Sequence, residues 1–172
     1  DGEIAIGADD AVILAVPAYA AASLVPDLTA PDEFRAIVNV HYDIAPPQGT
    51  PFMTGVIGQT VEWIFAFKSR ISATISHADR LLTLPRQELA ETVWREISDI
   101  LEMDAPLPKW QLVRERRATF AATPPQNARR PGARTRWRNL VLAGDWTDTG
   151  LPATIEGAIR SGRNAAGLIR QA

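Results

Sequence analysis

The chain has 172 residues, 46% of them hydrophobic and 22% charged, a balance that excludes a disordered segment and provides apolar material for a core. Its net charge of -2 creates no field that would draw a polyanion, so no nucleic-acid partner is expected. The absence of cysteine excludes disulfides, thiolate zinc sites and cysteine nucleophiles together.

In chain order, the first signal is the apolar run at residues 11–16, stopped by Pro17, which reads as a short parallel strand buried on both faces. A chain that opens on Asp1 and enters a strand so soon reads as part of something longer. A short helix is expected over residues 19–24 and a loop over 26–31. Strands follow at 36–42, 52–57 and 61–67, the last two flanking Gly58-Gln59-Thr60 as a hairpin, and 71–76 adds a third neighbouring strand. Trp63, Phe65 and Phe67 alternate, so they share one face, as core or as the wall of an apolar tunnel.

Pro85 opens a helix in which Leu89, Val93, Ile97, Ile100 and Leu101 recur at helical spacing, to be ended by Pro106 and Pro108. A strand at 111–117 and a loop at 123–132 come next. Eight arginines fall from Arg114 to Arg138, read first as paired or solvated charges and second as a basic surface for phosphate, anionic lipid or nucleic acid. A second short buried strand at 139–143 leads into a helix at 154–170. Its stripe of Ile155, Ala158, Ile159, Gly162, Ala165, Ala166 and Ile169 is expected to face a sheet.

The order strand, turn, helix makes residues 1–17 and 136–172 parts of one parallel-sheet layer, with an antiparallel α+β region at 18–135 between them. The expected fold class is therefore α/β plus α+β, an antiparallel sheet with a covering helix inserted between parts of a parallel-sheet domain.

Chemistry concentrates between Leu140 and Ala158. Asp145 follows the second parallel strand, where open α/β sheets bind ligands, and a carboxylate there accepts hydrogen bonds from sugar-like hydroxyls. Gly144 allows close backbone approach. Pro152 is expected in the first turn of the following helix, leaving N–H groups near Ala153, Thr154 and Ile155 for an electron-rich ligand. A tight turn before a capped helix explains the same residues without a ligand. Gly157 and Gly162 have phosphate-loop spacing, but Arg163-Asn164 follows where Lys and Ser or Thr are needed. His41 and His77 have no partner at metal-ligand spacing, so no metal is expected.

Ala143-Gly144-Asp145, Gly150-Leu151-Pro152-Ala153-Thr154-Ile155-Glu156-Gly157-Ala158 and Ser161-Gly162 resemble the C-terminal flavin motif of the phytoene-desaturase and amine-oxidase superfamily. That resemblance implies FAD, with Gly144 and Asp145 at the ribityl and phosphate side and Pro152, Ala153, Thr154 and Ile155 near the ring. Ile37-Val38-Asn39-Val40-His41-Tyr42, Pro51-Phe52-Met53, Trp63-Ile64-Phe65, Arg114-Glu115-Arg116-Arg117-Ala118-Thr119-Phe120 and Gly144-Asp145-Trp146-Thr147 are similar to its squalene-associated branch, the hydroxysqualene dehydroxylases.

The resemblance makes 1–17 with 136–172 part of an FAD domain and 18–135 a substrate domain. It implies an FAD-dependent oxidoreductase acting on an apolar lipid, from hydroxysqualene to squalene. The alternatives are carotenoid desaturation or amine oxidation, and a non-catalytic fragment that forms a homodimer. No Gly-x-Gly-x-x-Gly turn is present, so this stretch by itself is expected to hold no flavin and to be inactive. The catalytic acid and base are unassigned. A cytoplasmic location is expected, and any membrane contact would be peripheral, since no apolar run approaches the ~20 residues of a membrane span.

Overall fold

A computed structural model describes residues 2–7 and 9–170; positions 1, 8, 171 and 172 of the expected end ranges lie outside the described residues. The chain mixes a parallel and a largely antiparallel sheet and forms two compact units, one of residues 35–118 and one of residues 1–34 with 119–172. The seams thus fall at 34/35 and 118/119, whereas the sequence suggested 17/18 and 135/136.

In the middle unit, β2 (Phe34–Tyr42), β3 (Met53–Gly55), β4 (Trp63–Ala66), β5 (Ile71–Ile75) and β6 (Trp110–Phe120) form a sheet in the order β3-β4-β5-β2-β6. The expected hairpin is present, with Met53 opposite Phe65 and Gly55 opposite Trp63. Strict alternation sends Val38, Val40, Tyr42, Ile64, Ile71, Ala73 and Ile75 to one face, where they meet Leu89, Val93, Trp94 and Ile97 of α2 (Arg86–Ile100). The Tyr42 hydroxyl donates to the Ala90 carbonyl at 2.7 Å, satisfying the polar atom that this ring carries into the core.

The end of α2 differs from expectation. It stops at Ile100, before either proline, because Glu102 adopts a left-handed φ of 52° and the Met103 N–H reaches the Ser98 carbonyl at 2.9 Å. That pattern satisfies the last helical carbonyls without proline.

In the unit of the chain ends, β1 (Val12–Leu14) pairs in parallel with β7 (Leu140–Leu142), and α1 (Ala18–Leu24) follows β1. The parallel layer joining the two ends is as expected, but burial on both faces is not. The sheet has two strands among the described residues, and Ile13 stays 43% exposed. The expected loop at 123–132 contains the short helix α3 (Pro124–Ala128), which proline favours in its first turn.

The last helix, α4 (Ile155–Ile169), buries Gly157, Ser161 and Ala165, which recur every fourth residue. Small residues let its backbone approach β7, where Val141 and Ala143 pack against Ala165. Of the expected stripe, Ile155 and Ile159 instead face outward, 82% and 46% exposed.

Candidate functional site

The candidate site is the turn between β7 and α4. Gly144, at the end of the strand, has φ of 146°, a conformation that L side chains rarely adopt, and a Cβ there would lie 2.3 Å from the Trp146 indole nitrogen. The glycine requirement therefore has an internal cause. Trp146 is buried and donates from Nε1 to the Val16 carbonyl at 3.0 Å, fastening the turn to the segment after β1.

Three more residues, Ser161, Thr147 and Arg130, fix this turn. The Gly144 N–H donates to Ser161 Oγ at 2.8 Å, and the Gly144 carbonyl accepts from the Thr147 N–H at 3.1 Å and its hydroxyl at 2.8 Å. Arg130 Nη2 donates to the carbonyls of Asp145 at 3.1 Å and Thr147 at 2.6 Å, with its guanidinium over the Phe120 ring. Sequence reasoning placed Arg130 only among the arginines of a surface stretch and missed its tie to this turn, fifteen residues before Asp145 in a segment read as loop. Ser161 was visible in the motif, but its tie to Gly144 was not.

Asp145 is half-buried, and its carboxylate makes no hydrogen bond or ion pair among the described residues. Thr154 is the N-cap of α4, its Oγ1 accepting from the Gly157 N–H at 3.1 Å. Pro152 consequently lies two residues before the cap rather than in the first turn, and Ala153 also precedes the helix. The free helical donors are those of Ile155 and Glu156, by the geometry of any helix start. Gly157 is constrained as well, since a Cβ there would lie 2.7 Å from the Pro152 carbonyl.

These features suit a flavin: an unengaged carboxylate at the end of a parallel strand for ribityl hydroxyls, and helix N–H groups for electron-rich pyrimidine atoms. No group of three metal-ligating side chains occurs among the described residues.

The other residues singled out lie in the middle unit. Trp63, Phe65 and Phe67 lie outside its core cluster; Trp63 is 41% exposed, and Phe52 stacks edge-on against Phe65 and Phe67 with centroids 6.1 and 5.5 Å apart. His41 hydrogen-bonds Ser72 through Nδ1 at 2.8 Å, and its pKa is lowered by burial and, secondarily, by Arg70.

The arginine-rich stretch is largely engaged. Arg129 pairs with Asp32 at 2.8 Å, Arg136 with Asp27 at 3.1 Å, and Arg114 donates to the Leu84 carbonyl at 2.6 Å. No helix among the described residues is long and apolar enough to cross a membrane.

The family profile described as flavin containing amine oxidoreductase matches residues 53–170. Hydroxysqualene dehydroxylases of Rhodopseudomonas palustris and Sinorhizobium fredii are 63% and 57% identical over 96% and 98% of the chain. That of Zymomonas mobilis is 49% identical over 96%. The chain spans 40% of the length of each of these curated relatives. Among solved structures, a chain from Exiguobacterium sp. 255-15 described as a protoporphyrinogen oxidase superposes with a TM-score of 0.69 at 14% identity, over 94% of this chain and 41% of that one. At that identity the likeness is one of fold.

Proposed function

The chain belongs to the flavin containing amine oxidoreductase family, and from that premise we propose that the intact protein is an FAD-dependent hydroxysqualene dehydroxylase. The observation that carries this reading is the identity of 49–63% to three hydroxysqualene dehydroxylases over nearly the whole chain. The unengaged Asp145 beside a capped helix start supports it.

In this reading the unit of the chain ends contributes to the cofactor site and the middle unit to the substrate site. Reduced flavin, when bound, supplies the hydride that replaces the departing hydroxyl, and the hydroxyl leaves as water after gaining a proton. The chain's own part is to bind and orient. Asp145 accepts hydrogen bonds from the ribityl hydroxyls, and the Ile155 and Glu156 N–H groups favour an electron-rich ring. Arg130, Ser161 and Thr147 hold the turn that presents Asp145, so little reorganisation is needed on binding.

A peripheral lipid contact belongs to the same reading. Phe52, Met53 and Ile57 are 61%, 53% and 98% exposed around the β3–β4 hairpin, and exposed Lys68 and Arg70 lie between β4 and β5.

The test is incubation of the intact protein with reduced flavin and hydroxysqualene. Squalene is the expected product, and its absence overturns the proposal. The FAD assignment is checked separately by visible absorbance after incubation with excess FAD and desalting.

A further inference from the structure

The middle sheet has a second face. Residues directly opposite in an antiparallel ladder point the same way, so the pairing registers define two rows on the side away from α2. One runs Gly55, Trp63, Thr74, Asn39 and the other Met53, Phe65, Ser72, His41. Along both rows the chemistry changes in the same sense. The β3 and β4 positions are apolar, with Phe52 and Phe67 extending the aromatic group. The β5 and β2 positions are polar and joined in pairs: His41 Nδ1 lies 2.8 Å from Ser72 Oγ, and the Thr74 hydroxyl donates to Asn39 Oδ1 at 2.7 Å.

We propose that His41, held by Ser72 as a positioning residue, recognises the hydroxyl of the substrate through Nε2, while the aromatic half of the same face carries its hydrocarbon. This rests on the dehydroxylase reading above, and it adds the residues that distinguish the alcohol from its hydrocarbon product.

The argument is one of donors and acceptors. An alcohol both gives and takes a hydrogen bond. A neutral histidine and a serine spend one donor and one acceptor on each other. If the Ser72 hydroxyl donates to Nδ1, then Nε2–H remains to donate; in the other tautomer Nδ1–H donates to Ser72 Oγ and Nε2 accepts. Either way Nε2, across the ring from the buried Ser72, keeps one hydrogen bond for an alcohol, and Ser72 fixes the ring that offers it.

Neutrality of the imidazole is favoured by burial and by Arg70, both of which lower its pKa. His41 also borders a cleft of about 240 Å³ shared with Arg70, Trp110 and Gln111, so the ring has open space beside it. That volume is below the ~300 Å³ at which pockets for drug-sized ligands begin. It suits a polar group rather than a long hydrocarbon, which leaves the hydrocarbon to the aromatic half.

The test compares the affinities of the intact protein for hydroxysqualene and squalene, read by tryptophan fluorescence quenching in detergent. The wild-type protein is expected to prefer the alcohol about tenfold, equivalent to ~1.4 kcal/mol, the scale of one hydrogen bond. Ser72→Ala and His41→Phe should bring that ratio to about one while leaving squalene affinity unchanged, and Ser72→Thr should restore it. Trp63→Ala should weaken both ligands and preserve the ratio.

The proposal is overturned by a wild-type protein without preference, by an unaltered ratio in Ser72→Ala and His41→Phe, or by equal loss of both ligands in them. Turnover separates the two readings. Squalene formation with an unaltered ratio in Ser72→Ala and His41→Phe sinks this inference alone. A Ser72-dependent preference without squalene formation sinks the dehydroxylase reading alone.

Discussion

The two units solve the burial problem differently. In the middle unit, residues of the sheet and α2 form one cluster in which Val38, Val40, Ile64, Ile71 and Ile75 are fully buried. In the unit of the chain ends, the buried residues divide into two smaller clusters, and Ile13, Ile155 and Ile159 remain exposed. The middle unit thus gains its order from volume and register. The end unit spends its specificity on one turn, where Gly144, Trp146, Thr147, Ser161 and Arg130 fix the backbone through close approach and hydrogen bonds. A scaffold tolerates changes that preserve volume, whereas a turn of this kind is sensitive to a single added methyl group.

The largest test of that contrast is Ile64→Ala against Ile155→Ala. The first leaves a cavity in a complete core and should cost about 2–5 kcal/mol. The second trims a mostly exposed side chain and should stay within about 0.5 kcal/mol. Urea denaturation followed by circular dichroism measures both, and comparable losses would break the comparison.

Gly144→Ala comes next. The added Cβ meets the Trp146 indole at 2.3 Å in a backbone conformation that alanine disfavours, so a loss of about 1–3 kcal/mol is expected from the backbone strain. Displacement of the indole from the Val16 carbonyl should also shift tryptophan emission, and FAD retention by the intact protein should fall. An unshifted spectrum would mean that the turn is less constrained than its contacts imply. Smaller again is Thr154→Ala, which removes the cap of α4 and should cost about 1 kcal/mol, with Thr154→Ser near neutral.

The middle unit was legible in the sequence because its signals are local: alternation at 36–42 and 61–67, a glycine-containing hairpin, and helical spacing after Pro85. The end of α2 was not, because it depends on Glu102 entering a left-handed conformation, for which a non-glycine residue gives no sign. The candidate turn was legible as the link between a strand and a helix, but the contacts that fix it were not. Gly144 was read as making room for a ligand, but it makes room for Trp146, which a linear motif cannot reveal. The α4 stripe failed for a related reason. Aliphatic periodicity pointed to Ile155 and Ile159, while close approach to β7 selected the small residues Gly157, Ser161 and Ala165.

The smallest expected effect separates the units by pH. His41 lies in the middle unit, and its pKa is lowered from 6.5 by burial and then by Arg70. A lowered native pKa means that the unfolded chain takes up the proton first. The His41 contribution to stability is therefore complete above about pH 6.5 and is lost as pH falls from there through the native value. Subtracting the urea-midpoint profile of His41→Gln from that of the wild-type protein isolates this component. Proton NMR should place the His41 midpoint below 6.5. Arg70, Lys109 and Asp43 border the same cleft, so salt distinguishes the two causes. Screening should weaken the push from Arg70 and raise the midpoint partway, leaving the part due to burial. A midpoint that salt returns fully to 6.5 would assign the shift to Arg70 alone and show the ring to be more hydrated than its place on the sheet suggests.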